Sequence, residues 1–248
     1  MGADRDRVER VREHGLLTLD TDASACARRW RDWYETAVPG PRIVVDFDGT
    51  ITEIDGLHLV LLEFGDQDVY EQHESRLGHD LTLREVIAGE FRTVRAPLDG
   101  VVSWMRTNAA VRAGFATFAR QHDPLVVSSG FHELIEPVLE REGVELEVRA
   151  NRLDPRADGW RVLFREQAEC AVCGEQCKRS DVADLTEFTY VGDGYSDRCV
   201  AELATRVFAR DGLADYLAQK GSPFEPFEDF YDVSRALEGD AVVSPRRS

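Results

Sequence analysis

Short apolar runs and longer amphipathic stretches alternate along most of this chain. "RIVVDF", Arg42 to Phe47, is a compact apolar run bounded by turn residues, the pattern of a strand buried on both faces of a parallel sheet. From Leu57 to His122 the apolar spacing turns helical in "LHLVLLEFG", "LTLREVIAGEF", "LDGVVSWM" and "VRAGFATFARQH", with no convincing strand between them. The strand theme returns in "PLVVSSG", which runs into the helical "FHELIEPVLEREG". "VELEVRAN" and "WRVLF" flank "RLDPRADG" and predict a hairpin or flap. "FTYVGDG" and "RVFAR" predict two more strands, the second followed by the helix "DGLADYLAQK". The aromatic "PFEPFEDFYDV" reads as core docked on the sheet.

This alternation predicts an α/β protein: a Rossmann-like open parallel sheet interrupted after its first strand by an all-helical cap. The segments follow from it. Residues 1–40 read as an N-terminal helical extension ending at "VPGP", residues 41–56 and 123–240 as the core domain, 57–122 as the cap, and 241–248 as a polar tail. In such sheets ligands bind at the carboxyl ends of the strands. Three predicted strands end there in polar residues: Asp46 and Asp48, Ser128 and Ser129, Asp193 and Asp197.

Composition narrows the partners. At 248 residues, with 43% hydrophobic and 31% charged residues, the chain can bury one substantial core. A net charge of −17 argues against a nucleic-acid surface or an anionic membrane as the main partner. No signal peptide or membrane span is legible, and five cysteines, an odd number, suit a reducing cytoplasm. Oligomeric state is not legible. The only lysines are Lys178 and Lys220, which makes a lysine near a motif conspicuous.

Asp46 and Asp48 stand one residue apart and face the same way on a strand, so their charges repel unless a cation or a proton intervenes. The plain alternative is a solvated turn. A carboxylate can attack phosphorus to form an aspartyl phosphate, provided a hard cation offsets the repulsion between two anions. Magnesium suits this task, and Asp46 and Asp193 from two strand ends could hold it. Asp48 could protonate the leaving alkoxide and later activate water. Ser128 could donate to a phosphoryl oxygen, with free amides nearby if a helix starts at Gly130 or Phe131, although serine before a helix is more often simply a cap. Lys178, held by Asp197 or Asp193, could supply fixed positive charge.

Four ordered strings carry a resemblance: "VVDFDGT", "LVVSSG", Lys178 in "CGEQCKRS", and "GDGYSD". Together they resemble the haloacid dehalogenase superfamily in its phosphatase branch, over roughly residues 42–238. The helical insert matches the cap position of the phosphoserine phosphatase subfamily. "DFDGTIT", "VVSSGF", "VGDGYSD", "VFAR" and "FEDFYDV" are most similar to the methionine-salvage group, which hydrolyses 2-hydroxy-3-keto-5-methylthiopentenyl-1-phosphate. The resemblance implies Asp46 as nucleophile and metal ligand, and Asp48 as acid/base with its carbonyl also on the metal. It implies Thr50 in shaping the first loop, Ser128 on phosphate with Ser129 and Gly130 beside it, and Lys178 neutralising charge. Asp193 becomes a magnesium ligand, and Asp197, also counted among the metal residues, steadies the lysine or metal-bound water. Asp55 falls where phosphoserine phosphatase binds its substrate's ammonium group. Glu53, His58, Arg84 and Arg92 are further candidate contacts for the leaving group.

The implied partner is a small phosphorylated metabolite. Two other readings keep the fold: a phosphotransferase or tailoring phosphatase of a biosynthetic pathway, and an inactive ligand-binding module. Separately, Cys170, Cys173 and Cys177 in "CAVCGEQC" are compatible with a small zinc site completed by Cys199 or a histidine, or with free thiols in a loop.

Overall fold

The computed structural model describes residues 41–243; the extension expected over 1–40 and residues 244–248 lie outside the described residues. A seven-stranded sheet organises the chain: β1 Arg42–Val45, β2 Leu125–Phe131, β3 Val148–Asp154, β4 Arg161–Leu163, β5 Phe188–Gly192, β6 Arg206–Ala209 and β7 Glu225–Pro226. Their spatial order is β4-β3-β2-β1-β5-β6-β7. All neighbours run parallel except the β3–β4 pair, which forms the expected hairpin. Strand β1 therefore lies in the middle of the sheet, and Val44 and Val45 are fully buried on opposite faces. The same two-sided burial explains the apolar Leu125–Val127 of β2 and the largely apolar β5.

Five helices occupy the connection from β1 to β2: α1 Gly56–Phe64, α2 Gln67–Glu74, α3 Leu83–Phe91, α4 Leu98–Asn108 and α5 Phe115–His122. Their starts follow local chemistry. Asp55 caps α1 by accepting from His58 N at 2.9 Å, and Thr82 and Glu85 form a reciprocal capping box on α3. The two ends of this insert run side by side: Glu53 N donates to Ala110 O and Arg112 N to Ile51 O. After them, α5 packs Phe115 and Phe118 against Phe230 and joins the core.

One sheet face is covered by apolar residues of α1, α3, α4, α5, α6 (His132–Arg141) and α9 (Phe230–Val243). The other is covered from the turn Lys178–Val182, α7 (Arg198–Ala201) and α8 (Asp211–Lys220). Phe227 and Phe230 are buried as expected for the aromatic tail segment, and α9 continues to Val243, into the stretch read as polar tail. Among the described residues, no helix is long and apolar enough to cross a membrane.

Strand β2 runs on to Phe131, which pairs with Asn151 beyond an irregularity after Val127, and α6 starts at His132 with Phe131 as its N-cap, within a residue of the expected start. The Gly130 amide is consequently spent on the Ser128 hydroxyl at 2.7 Å. Lys178 is held by Asp197, as one alternative had it, and also pairs with Asp46.

Candidate active site

Asp46 extends the central strand by one residue, its amide donating to Val191 O at 2.9 Å across the sheet. The chain then turns tightly through Phe47–Ile51. Gly49 has φ = 80°, and a β-carbon there would collide with the Asp193 carboxylate, so the turn needs glycine for both reasons. Thr50 Oγ1 donates to Asp193 Oδ1 at 2.5 Å, which ties the turn after β1 to the loop after β5.

Lys178 lies at the centre, only 2% exposed. Its ammonium contacts Asp46 Oδ1 at 2.6 Å and Asp197 Oδ1 at 2.7 Å. Burial pulls its pKa down, yet Asp197 and Asp46 outweigh that and raise it, so the lysine is charged. Asp197 is saturated. Tyr190 OH also donates to its Oδ1 at 2.6 Å, while the amides of Asp193 and Gly194 donate to Oδ2, each at 2.9 Å. Burial alone would raise the Asp197 pKa, but Lys178 and these donors hold it below the ordinary carboxylate value.

The other carboxyls behave oppositely. Asp46 is pushed up by burial and by Asp197, against the pull of Lys178. Asp48 is pushed up to about 7 by burial and by Asp55, although it accepts from Ser128 Oγ at 3.0 Å and from Gly56 N at 3.2 Å. Asp193 is raised to about 7 by burial and by Asp197. Carboxylate oxygens of Asp46, Asp193 and Asp197 lie within 4.8 Å of one another, a spacing that one small cation bridges.

Asp46, Asp48, Asp193 and Ser129 line a cavity of about 260 Å³. Its far wall comes from the helical insert: Asp55, His58, Tyr70, Glu74, Ile87 and Glu90 among them. Ser128 is fully buried behind Ser129, and neither Ser128 nor Gly130 reaches the cavity lining. Of the other leaving-group candidates, Glu53, Arg84 and Arg92 are absent from that lining. Arg84 instead ties α3 to the Arg165 carbonyl and to Gln167, at 2.8 Å each, and to Gln176.

Three supporting residues escaped the sequence reading. Tyr190 looked like one more aromatic of a core strand; only the fold brings its hydroxyl to Asp197. Arg112 is 8% exposed and donates to the carbonyls of Gly49, Thr50 and Thr52, bracing the turn behind Asp48. Arg165 pairs with Asp181 and donates to Ser128 O at 3.0 Å. No string in the sequence distinguishes these arginines from the many others.

Fold and site together define an α/β enzyme of the hydrolase class, with carboxyls gathered around one buried lysine at the end of a parallel sheet. A model of the haloacid dehalogenase-like hydrolase family matches residues 43–202, and the chain belongs to that family. Among curated relatives, the 2-hydroxy-3-keto-5-methylthiopentenyl-1-phosphate phosphatase of Exiguobacterium sibiricum is 29% identical over 82% of this chain and 99% of its own length. The phosphatase of the same name from Lysinibacillus sphaericus is 29% identical over 80% of this chain and 94% of its own. In fold, a substrate-bound phosphoserine phosphatase matches with TM-score 0.58 and 17% identity, over 79% of this chain and 98% of that one. The phosphoserine phosphatase of T. onnurineus matches with TM-score 0.57 and 16% identity, over 78% and 92% of the two chains.

Proposed function

We propose that this protein hydrolyses a small-molecule phosphate monoester through a phosphorylated Asp46. The observation that carries this reading is the Lys178 ammonium seated between Asp46 and Asp197, which sets a fixed positive charge beside Asp46 at the wall of the cavity. Two carboxyls with different environments supply a nucleophile and an acid at one pH. Asp46 attacks phosphorus; Asp48, which titrates near neutrality (its pKa is about 7), donates its proton to the leaving oxygen and then takes one from the water that cleaves the acyl phosphate. A phospho-aspartyl intermediate analogue of phosphoserine phosphatase has the same fold, with TM-score 0.57, which supports the reading.

The donor set fits magnesium. Asp46 and Asp193 offer hard oxygens at bridging distance, and the Asp48 carbonyl is a further candidate, whereas both oxygens of Asp197 are engaged by four donors. Bound there, the ion would offset phosphoryl charge and lower the repulsion facing Asp46. Lys178 lowers it from the other side. Asp197 is then a positioning residue, holding Lys178 and the loop that carries Asp193. Ser129 faces the phosphate space, and Ser128 restrains Asp48 until substrate enters. The thiol cluster takes no part in these steps.

The helical insert supplies specificity as a cap. Its boundaries are better drawn at the paired connections, near residues 54 and 109, than at 57 and 122, because α5 packs with Phe230. The relatives' substrate, 2-hydroxy-3-keto-5-methylthiopentenyl-1-phosphate, is the first candidate. A second reading has its own support: Asp55, Glu74 and Glu90 surround the leaving-group space, and Glu90 Oε1 is buried without a partner, an arrangement that favours an amine-bearing leaving group. The odd cysteine count remains the argument for a cytoplasmic site of action. A turnover screen of phosphorylated metabolites, with and without magnesium, tests both readings. Activity confined to phosphate monoesters and dependent on Asp46 is expected; full activity of Asp46→Asn would overturn the assignment.

A further inference from the structure

The segment between β4 and Lys178 is built unlike the rest of the fold. Residues 164–177 form neither helix nor strand, and they lead directly into the turn that delivers Lys178. Stretches of that length without regular structure are uncommon in compact domains unless something else fastens them. Here the fastening is visible: the sulfurs of Cys170, Cys173, Cys177 and Cys199 all lie within 4.8 Å of one another. Cys199 comes from α7, some twenty residues away along the chain. We propose that these four thiols bind one structural zinc ion as a tetrahedral tetrathiolate.

Geometry and chemistry agree. Zinc–sulfur bonds of about 2.3 Å in a tetrahedron put sulfurs about 3.8 Å apart. Cys170 Sγ and Cys199 Sγ are separated by 3.5 Å, and none of the four is cross-linked. "CAVCG" folds as a knuckle that presents two sulfurs from one tight turn. Gly174 N donates to Cys170 O at 2.8 Å and Cys170 N to Glu175 O at 2.9 Å, with Gly174 at φ = 74°, a conformation that glycine adopts without strain. Val172 N donates to Cys170 Sγ at 3.4 Å, and Arg179 Nη1 approaches Cys199 Sγ at 3.7 Å. Such donors lower the charge of a tetrathiolate site, which carries two net negative charges once zinc is bound, and they orient its ligands. Apolar packing does not account for the cluster, because Cys173 is exposed and yet faces the other three.

The position gives the site its use. Cys177 directly precedes Lys178, and Cys199 follows Asp197 by two residues, so the ion would clamp both backbones whose side chains form the 2.7 Å Lys178–Asp197 pair. Zinc here is a positioning device, remote from the phosphate. It holds the ammonium that the nucleophile needs, and it takes no proton or phosphoryl group itself.

Metal analysis of the full chain, purified under reducing conditions and washed with a weak chelator, tests the proposal. About one zinc per chain is expected, falling below about a fifth in Cys173→Ala and unchanged in Asp193→Asn. Cobalt added to the metal-free wild-type chain should show the sulfur-to-metal and ligand-field bands of a tetrahedral thiolate site, a readout that needs no variant to fold. The proposal is overturned if the wild-type chain holds less than about a tenth of a zinc and cobalt gives no such bands. It is equally overturned if the bound metal is iron, if zinc survives in Cys173→Ala but is lost in Asp193→Asn, or if Cys170 and Cys199 are recovered as a disulfide from the reduced preparation.

Discussion

Lys178 is the residue on which the electrostatics of the site turn. It sits between two carboxylates in a buried setting, and removing one partner of such a group leaves uncompensated charge. Lys178→Met is therefore expected to lower both activity and stability, the latter by roughly 3–5 kcal/mol, the range for breaking a buried pair. Denaturant unfolding at neutral pH checks the second figure. Asp46→Asn differs: it should lower kcat by at least about a thousandfold with the fold retained, which circular dichroism and turnover assays together would establish. Glu90 gives a pH test. Burial, with Glu74 and Asp55 nearby, raises its pKa from 4.5 to about 8. Between those values the folded chain keeps a proton that the unfolded chain releases, so stability falls as pH rises from about 4.5 to 8. Glu90→Gln should flatten that slope, gaining thermal stability at pH 8 but not at pH 4; an unchanged slope would contradict the assignment. The same substitution should weaken amine-bearing substrates more than uncharged ones.

At the scale of elements, the alternation of strand and helix was readable because each buried strand is a short apolar run and each helix keeps its own period. The order of the strands in space, with β1 central, follows from none of those patterns, and neither does the extension of β2 past Ser128. That extension depends on pairing with β3, which no local string shows. The helical insert was readable as one block, but its limits were not, because α5 has the same amphipathic pattern whether it packs on a cap or on the core. If the insert closes over bound phosphate, hydrogen exchange within residues 54–109 should slow severalfold with vanadate present, while β1 and β5 stay unchanged. Equal exchange with and without vanadate would count against closure.

Over the whole molecule, the four motifs were legible because sequence order is preserved while the fold brings their residues to one end of the central strands. What supports them was not: Tyr190, Arg112 and Arg165 act through contacts between residues far apart in the chain, and each looks ordinary in its own neighbourhood. An acidic chain with net charge −17 that gathers Asp46, Asp48 and Asp193 in one cavity should gain stability from a cation. Magnesium is expected to raise the melting temperature of the wild-type chain, and Asp193→Asn to abolish that rise. Turnover should stop on chelation and return with magnesium.

The most direct test of the account is the mass of the peptide that contains Asp46, taken after rapid acid quenching of the enzyme during turnover. One added phosphoryl group, located on Asp46 and absent from Asp46→Asn, is the predicted result. Sustained turnover with the phosphoryl group on another residue, or with that peptide never modified, would contradict it.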